Sequence, residues 1–140
     1  MTKNYKILGK YIKDMSSETP DLETYLFVRD YISTYQLDID IKSKAVKNKM
    51  IEINTIMKFE DKQENKKKSY FEINYSTIIK IDENVKEKKE LEKIILCDVQ
   101  IEIYPDLEKA LLDLLHNSGY PAVKFEKKVD FQDLYNQRSN

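Results

Sequence analysis

Residues 49–81 read KMIEINTIMKFEDKQENKKKSYFEINYSTIIKI, and their pattern decides the fold. Ile51, Ile53, Thr55, Met57 and Phe59 alternate with Glu52, Asn54, Ile56 and Lys58. Side chains of a β-strand alternate between its faces, so this run presents one apolar side and one largely polar side. Phe71, Ile73, Tyr75, Thr77, Ile79 and Ile81 repeat the pattern after a polar, charged connector from Glu60 to Ser69. Two such runs joined this way predict an antiparallel hairpin over 49–59 and 70–81. Glu52, Asn54, Lys58, Glu72 and Asn74 fall on its solvent side, interrupted by Ile56 and Ile78. The basic run Lys66-Lys67-Lys68 reads as the solvated end of the hairpin.

Upstream, Leu37, Ile39 and Ile41 alternate with Asp38, Asp40 and Lys42, predicting a strand over 36–42. The polar stretch Lys42–Asn48 joins it to the hairpin, so the three runs make a meander. Residues 5–16, rich in Tyr, Ile and Leu, predict the first strand. Ser16 to Asp21 ends it, because Pro20 cannot continue a central strand. From about 20 to 34 the chain carries Tyr25, Leu26, Phe27, Val28, Tyr31 and Ile32, very apolar for a loop. Two readings stay open: core packing over the sheet edge, or a wall of an apolar groove. Such a groove binds extended polypeptide without strict sequence preference, because burial is non-directional.

Downstream of about Asn84 the period becomes helical, with Leu91, Ile94, Ile95 and Val99 on one face. Gln100–Tyr104 is ambiguous, since Ile101 and Ile103 alternate as in a strand. Pro105 suits the first turn of a helix, where its missing N–H costs nothing. Leu107, Ala110, Leu111, Leu114 and Leu115 then form an apolar stripe. Gly119 stands where a left-handed terminator is needed, and Pro121 prevents continuation. Asp130 is the expected N-cap of a short last helix whose Phe131, Leu134 and Tyr135 share a face. The fold class is α+β: a four-stranded antiparallel sheet, then a long amphipathic helix, broken or continuous, and a short C-terminal helix.

The 140 residues read as one domain over 1–140. Charged residues make up 35% but nearly cancel, at −1, which argues against a nucleic-acid binder held by phosphate contacts. Cys97 is the only cysteine, so no intrachain disulfide forms, and a reducing compartment fits. The N-terminal residues carry no signal-peptide core and no run has membrane-spanning length, so a cytoplasmic chain without membrane insertion is expected. His116, the only histidine, reads as a surface or interface residue rather than a catalytic base. No ligand spacing for a metal and no glycine-rich phosphate loop is present; no cofactor and no catalysis are expected.

Several short motifs occur in a characteristic order: Tyr11-x-Lys13-Asp14-x-Ser16-x-Glu18-x-Pro20, Tyr104-Pro105, Gly119-Tyr120-Pro121, and Asp130-Phe131-x-x-Leu134-Tyr135. Spaced around four strands, they resemble the SecB family of export chaperones from about Tyr5 to Arg138. The resemblance implies a homotetramer, a dimer of dimers. It would hold unfolded precursor proteins in apolar grooves and pass them to the translocase ATPase SecA, without cofactor or catalysis. It also implies a SecA contact through Asp14, Glu18 and Glu72 on the exposed sheet face, with Tyr70 at a position where the family carries an aliphatic residue.

The sequence departs from the family elsewhere. Ser17 replaces a phenylalanine, Val99-Gln100 stands for Cys-Pro, and Ser76-Thr77 stands for a glycine pair. It closes on Arg138-Ser139-Asn140 without the family's acidic tail, so the sheet face is the expected main SecA contact. Clients are expected along Tyr25, Phe27, Tyr31, Tyr120 and Phe125, and Leu107, Leu111 and Leu114 are expected at an oligomer interface or in the core. A chaperone dedicated to one client, such as an antitoxin, shares the fold and stays open as an alternative. From other classes, so do a small enzyme and a structural oligomer module.

Overall fold

The computed structural model describes residues 4–64 and 67–139, with the backbone alone at 138 and 139. Lys66 of the basic run and Asn140 lie outside the described residues. Four strands, β1 (Tyr5–Glu18), β2 (Gln36–Ala45), β3 (Met50–Glu60) and β4 (Tyr70–Ile81), form one antiparallel sheet in the order β1-β4-β3-β2. The hairpin register follows the alternation: Phe59 faces Phe71, Met57 faces Ile73 and Thr55 faces Tyr75 on the inner side. Lys58 faces Glu72 and Ile56 faces Asn74 on the outer side. The first two strands run two and three residues further than the sequence pattern predicted. Edge strand β1 shifts register at Leu8 and Lys13, each an extra residue against β4. Bulges of this kind bend and twist an edge.

The apolar connection is not a loop but a helix, α1 (Leu22–Tyr31), followed by a single 3-10 turn, Ile32–Thr34. Asp21 caps it by accepting from the Thr24 N–H at 2.8 Å. Only Thr24 and Val28 of α1 are buried, so it lacks a wide apolar stripe and its hydrophobic residues do not announce a helical period.

After β4, α2 (Lys88–Lys93) continues through a π-helical turn, Ile94–Asp98, into α3 (Val99–Asn117). The helix therefore runs straight through the ambiguous stretch, and Pro105 lies inside it rather than in its first turn. An interior proline costs about 3 kcal/mol. Val99, Ile103, Leu107, Leu111 and Leu115, every fourth residue, are all fully buried, at about 1.5–3 kcal/mol each. Burial on both sides of the proline outweighs its cost. The last helix, α4 (Phe131–Ser139), starts as expected, with Asp130 accepting from the Asp133 N–H at 3.0 Å.

The core lies between the sheet's inner face and α3, with Ile53, Met57, Ile73 and Ile79 at zero exposure. α3 follows β1 in the same direction. Tyr5 donates to Glu102 at 2.8 Å, Lys10 pairs with Asp106 at 2.8 Å, and the hydroxyls of Ser17 and Ser118 lie 2.6 Å apart. Helix cover is thus tied to the β1 side, and the β2 side is left open.

Candidate functional site

On the β2 side a groove of about 1150 Å³ opens. Its sheet wall is Tyr35, Leu37, Ile39 and Phe59, and Ile32 and Ser33 of the 3-10 turn border it. Opposite stands the segment after α3, contributing Val123, Phe125 and Val129, with Leu134 of α4 beyond. β2 is an outer strand of the sheet. Among the described residues no backbone hydrogen bond reaches it from the groove side.

The residues just after α3 are pinned. Gly119 takes a φ of 106°, the left-handed region that favours glycine, and accepts a hydrogen bond from the Tyr25 hydroxyl at 3.0 Å. Tyr120 shares hydrogen bonds with Ser69 at 3.0 Å and Thr19 at 3.3 Å. The His116 Nε2 lies 2.9 Å from the Val123 carbonyl oxygen. From there Phe125 reaches back edge-on to Phe59, ring centroids 5.6 Å apart. Phe59 continues to Phe71 at 6.3 Å, Phe71 to Tyr120 at 5.6 Å, and Tyr120 to Tyr25 at 5.5 Å. This chain of rings links α1, the sheet and the groove wall. Tyr35 completes the sheet wall by accepting from the Ser69 N–H at 3.0 Å, and burial pushes its phenol above the ordinary value.

Of the client residues expected from sequence, the structure brings only Phe125 into this groove. Tyr120 is a correction. It is 2% exposed, its hydroxyl is taken, and it offers no face to a client. Tyr25 packs on it from α1. Phe27 and Tyr31 stack on each other at 4.6 Å, with Tyr31 49% exposed, directly before the groove residue Ile32. Sequence reasoning missed Leu37, Ile39 and Phe59 as groove residues. They were read correctly as the strands' apolar faces, but no periodicity says which part of an apolar face a helix leaves uncovered.

The outer sheet face collects the acidic candidates. Glu18 stands opposite Tyr70, Ser16 opposite Glu72, and Asp14 opposite Asn74. Tyr70 is 56% exposed. Glu72 shares Lys58 at 3.5 Å, whereas Asp14 and Glu18 make no ion pair to any described residue. Neighbouring carboxylates are matched: Glu52 by Lys13 at 3.0 Å, and Asp38 by Lys62, which holds the Asp38 carboxyl below its usual range.

Of the two places expected for the three leucines, an oligomer interface or the core, Leu107 and Leu111 take the core, which removes them as interface candidates. Leu107 and Leu111 have zero exposure within the single chain, so they belong to its core and have no surface for a second copy; Leu114 is half-buried. Apolar surface instead gathers at β1, where Leu8, Tyr11, Ile12 and Met15 are each about half exposed, and at Ile101 of α3. Among the described residues no helix is long and apolar enough to cross a membrane.

A family model described as SecB, preprotein translocase subunit SecB, matches residues 1–140. A protein-export protein SecB of Pelagibacter ubique is 65% identical over 140 residues, covering all of both chains. One of Parvibaculum lavamentivorans is 26% identical over 133 residues, covering 95% of this chain and 77% of that one. Among solved structures, a SecB-like chaperone of Mycobacterium tuberculosis, in complex with a ChAD peptide from an antitoxin, superposes with a TM-score of 0.65. It is 11% identical, covering 90% of this chain and 91% of that one, a likeness of fold.

Proposed function

The chain belongs to the SecB family of protein-export chaperones, and on that premise we propose that it holds unfolded precursors in the β2-side groove and hands them to SecA. The observation that carries the first half is the groove itself. It is apolar, about 1150 Å³, and runs beside an unpaired strand edge, a geometry suited to an extended backbone with apolar side chains. Burial there discriminates little among sequences, which suits a chaperone with many clients. No cofactor or bond-breaking group is needed, since holding is a binding equilibrium.

The handover runs through the outer face. Asp14 and Glu18, without ion-pair partners among the described residues, and Glu72 form an acidic patch around Tyr70 that favours a basic docking surface. The working particle is a cytoplasmic homotetramer. The support is an edge strand of 14 residues with half-exposed Leu8, Tyr11, Ile12 and Met15, together with Ile101. Unpaired apolar edges of this kind are covered by symmetric self-association. Leu114 remains a candidate contact.

The test is capture of a reduced, unfolded precursor. The wild type should slow the precursor's refolding at stoichiometric concentration, and Phe125→Ser with Leu37→Ser should weaken capture while the particle mass stays that of a tetramer. Unaltered capture by a folded double variant places the client elsewhere. Failure of the wild type to bind any unfolded client overturns the holding role.

A further inference from the structure

We propose that the end of the sheet at the β2–β3 turn docks on an anionic lipid bilayer, with lysines meeting headgroup phosphates and an apolar crevice beside them receiving hydrocarbon. On the outer face Lys6 of β1 stands directly opposite Lys80 of β4, and Met50, next in that row, follows the turn. Lys44 of β2 stands in the adjacent outer row, opposite Glu52. Lys47 and Lys49 belong to the turn itself. All five lysines are exposed, and none makes an ion pair with a described residue. Like charges set directly across two strands repel. Lys49 also holds a left-handed φ of 61°, a conformation that favours Gly, Asn or Asp. Neither arrangement helps the fold, and both concentrate positive charge at one end of it.

Carboxylates on this part of the outer face are taken. Lys13 holds Glu52 at 3.0 Å, and Asp40 lies 4.0 Å from Lys42. The acidic patch around Tyr70 is remote. Glu72 precedes Lys80 by eight residues of β4, about 25 Å at the rise of a strand, well beyond the screening length of about 8 Å at physiological salt.

Around the turn, where Ile51 and Ile81 carry the inner face, a crevice of about 430 Å³ is lined by these two with Val46, Val85 and Leu91. Lys49, Lys86 and Lys88 rim it, with Asp82 and Glu87. Val46 is 46% exposed beside the turn. An acidic protein segment would be satisfied by the lysines alone. A bilayer surface offers phosphate and hydrocarbon together, and the two features of this end match that pairing. The chain would meet the membrane turn first, leaving the groove and the acidic patch free.

Sedimentation of the full chain with lipid vesicles tests this. Vesicles of equal parts phosphatidylglycerol and phosphatidylcholine should carry the chain down at low salt, and pure phosphatidylcholine should not. Salt at roughly 0.5 M, where charges are screened within a few ångströms, should release it. Lys6→Gln, Lys44→Gln and Lys80→Gln together should weaken vesicle binding at least about tenfold, with melting temperature, particle mass and precursor capture unchanged. Val46→Ser should weaken it too, while keeping its salt dependence. No binding to the anionic vesicles, or a folded triple variant that binds them as the wild type does, overturns the proposal. Undiminished binding by Val46→Ser overturns the part given to the crevice. If the vesicles are ignored and the triple variant instead loses affinity for lipid-free SecA, the lysines read an acidic protein surface and the membrane reading falls.

Discussion

Thr55 in the centre of β3 and Gln100 at the start of α3 are hydrogen-bonded to each other at zero exposure, Thr55 Oγ1 donating to Gln100 Oε1 at 2.9 Å. Gln100 Nε2 in turn donates to the Ile95 carbonyl at 3.1 Å, inside the π-helical turn. A π-turn displaces the helical ladder by one residue and leaves backbone groups in need of partners. The glutamine supplies one, and the threonine closes the network to the sheet.

Removing either partner should therefore cost more than the bond itself. Gln100→Leu leaves Thr55 and the Ile95 carbonyl without a partner in a dry core, and should destabilise by about 1–3 kcal/mol. Thr55→Val combined with Gln100→Leu should cost less than the two single losses summed. Urea unfolding of the cycle measures this; strict additivity would show that the two groups act independently.

Gly119 should tolerate no side chain. A Cβ there would lie 2.7 Å from Cε1 of Tyr25, on a backbone with φ of 106°. Gly119→Ala should cost about 1–3 kcal/mol in strain and break the Tyr25 hydrogen bond that fixes the groove wall. Gly9→Ala meets nothing within 4 Å and serves as the control, with thermal unfolding as the measurement.

His116→Ala should loosen the groove wall without unfolding the protein. It removes a single hydrogen bond to Val123, worth about 0.5–1.5 kcal/mol. Amide exchange over residues 121–129 should accelerate while exchange in β3 and β4 stays slow. Equal acceleration everywhere would mean that the contact supports the whole fold.

Asp14→Asn with Glu18→Gln should weaken SecA binding more than Glu72→Gln alone, because Glu72 already shares Lys58. Exposed charges contribute roughly 0.2–1 kcal/mol each, so the double variant should lose up to about one order of magnitude in affinity and part of its salt dependence. A titration against the cognate SecA decides; unchanged affinity and salt slope would clear the face of this role.

Alkaline pH should unfold the chain through its tyrosines. Burial, aided by Glu102 in one case and Glu108 in the other, raises the phenols of Tyr5 and Tyr104; Tyr35 and Tyr75 are raised chiefly by burial. Raised folded values mean that the folded state holds these protons more tightly. The stability they contribute is complete below the unfolded value near 10 and is lost as pH climbs through and above it. Phenolate absorbance should show these tyrosines ionising late, in step with loss of the sheet's circular dichroism; ionisation within a native spectrum would contradict it.

The central hairpin was legible because β3 and β4 bury mainly one face, and the alternation at Ile51–Phe59 and Phe71–Ile81 records that directly. The Asp130 cap and the stripe through Leu107, Leu111 and Leu115 were equally plain. α1 was hidden because Tyr25, Leu26, Phe27 and Val28 follow one another without a helical period; its signal was the cap, Asp21 followed by Glu23 in the first turn. Pro105 misled because local propensity argues for a start, while the burial that overrides it depends on tertiary partners. Tyr120 and Phe125 look alike in sequence. One lands behind the sheet's hydroxyl network and the other in the groove, a distinction set by chain path alone.

The alliance of β1 with α3 has a further consequence during synthesis. Tyr5, Lys10 and Ser17 find Glu102, Asp106 and Ser118 only after 97, 96 and 101 intervening steps along the chain. At about 5–20 residues per second, the ribosome takes roughly 5–20 s to deliver the helix that belongs on the first strand. Until then β1, even once β4 has arrived to pair with it, lacks the helix that covers its inner face. A newborn copy of this chain thus presents, for a time, apolar surface at Tyr5 and Ile7 that the finished fold covers.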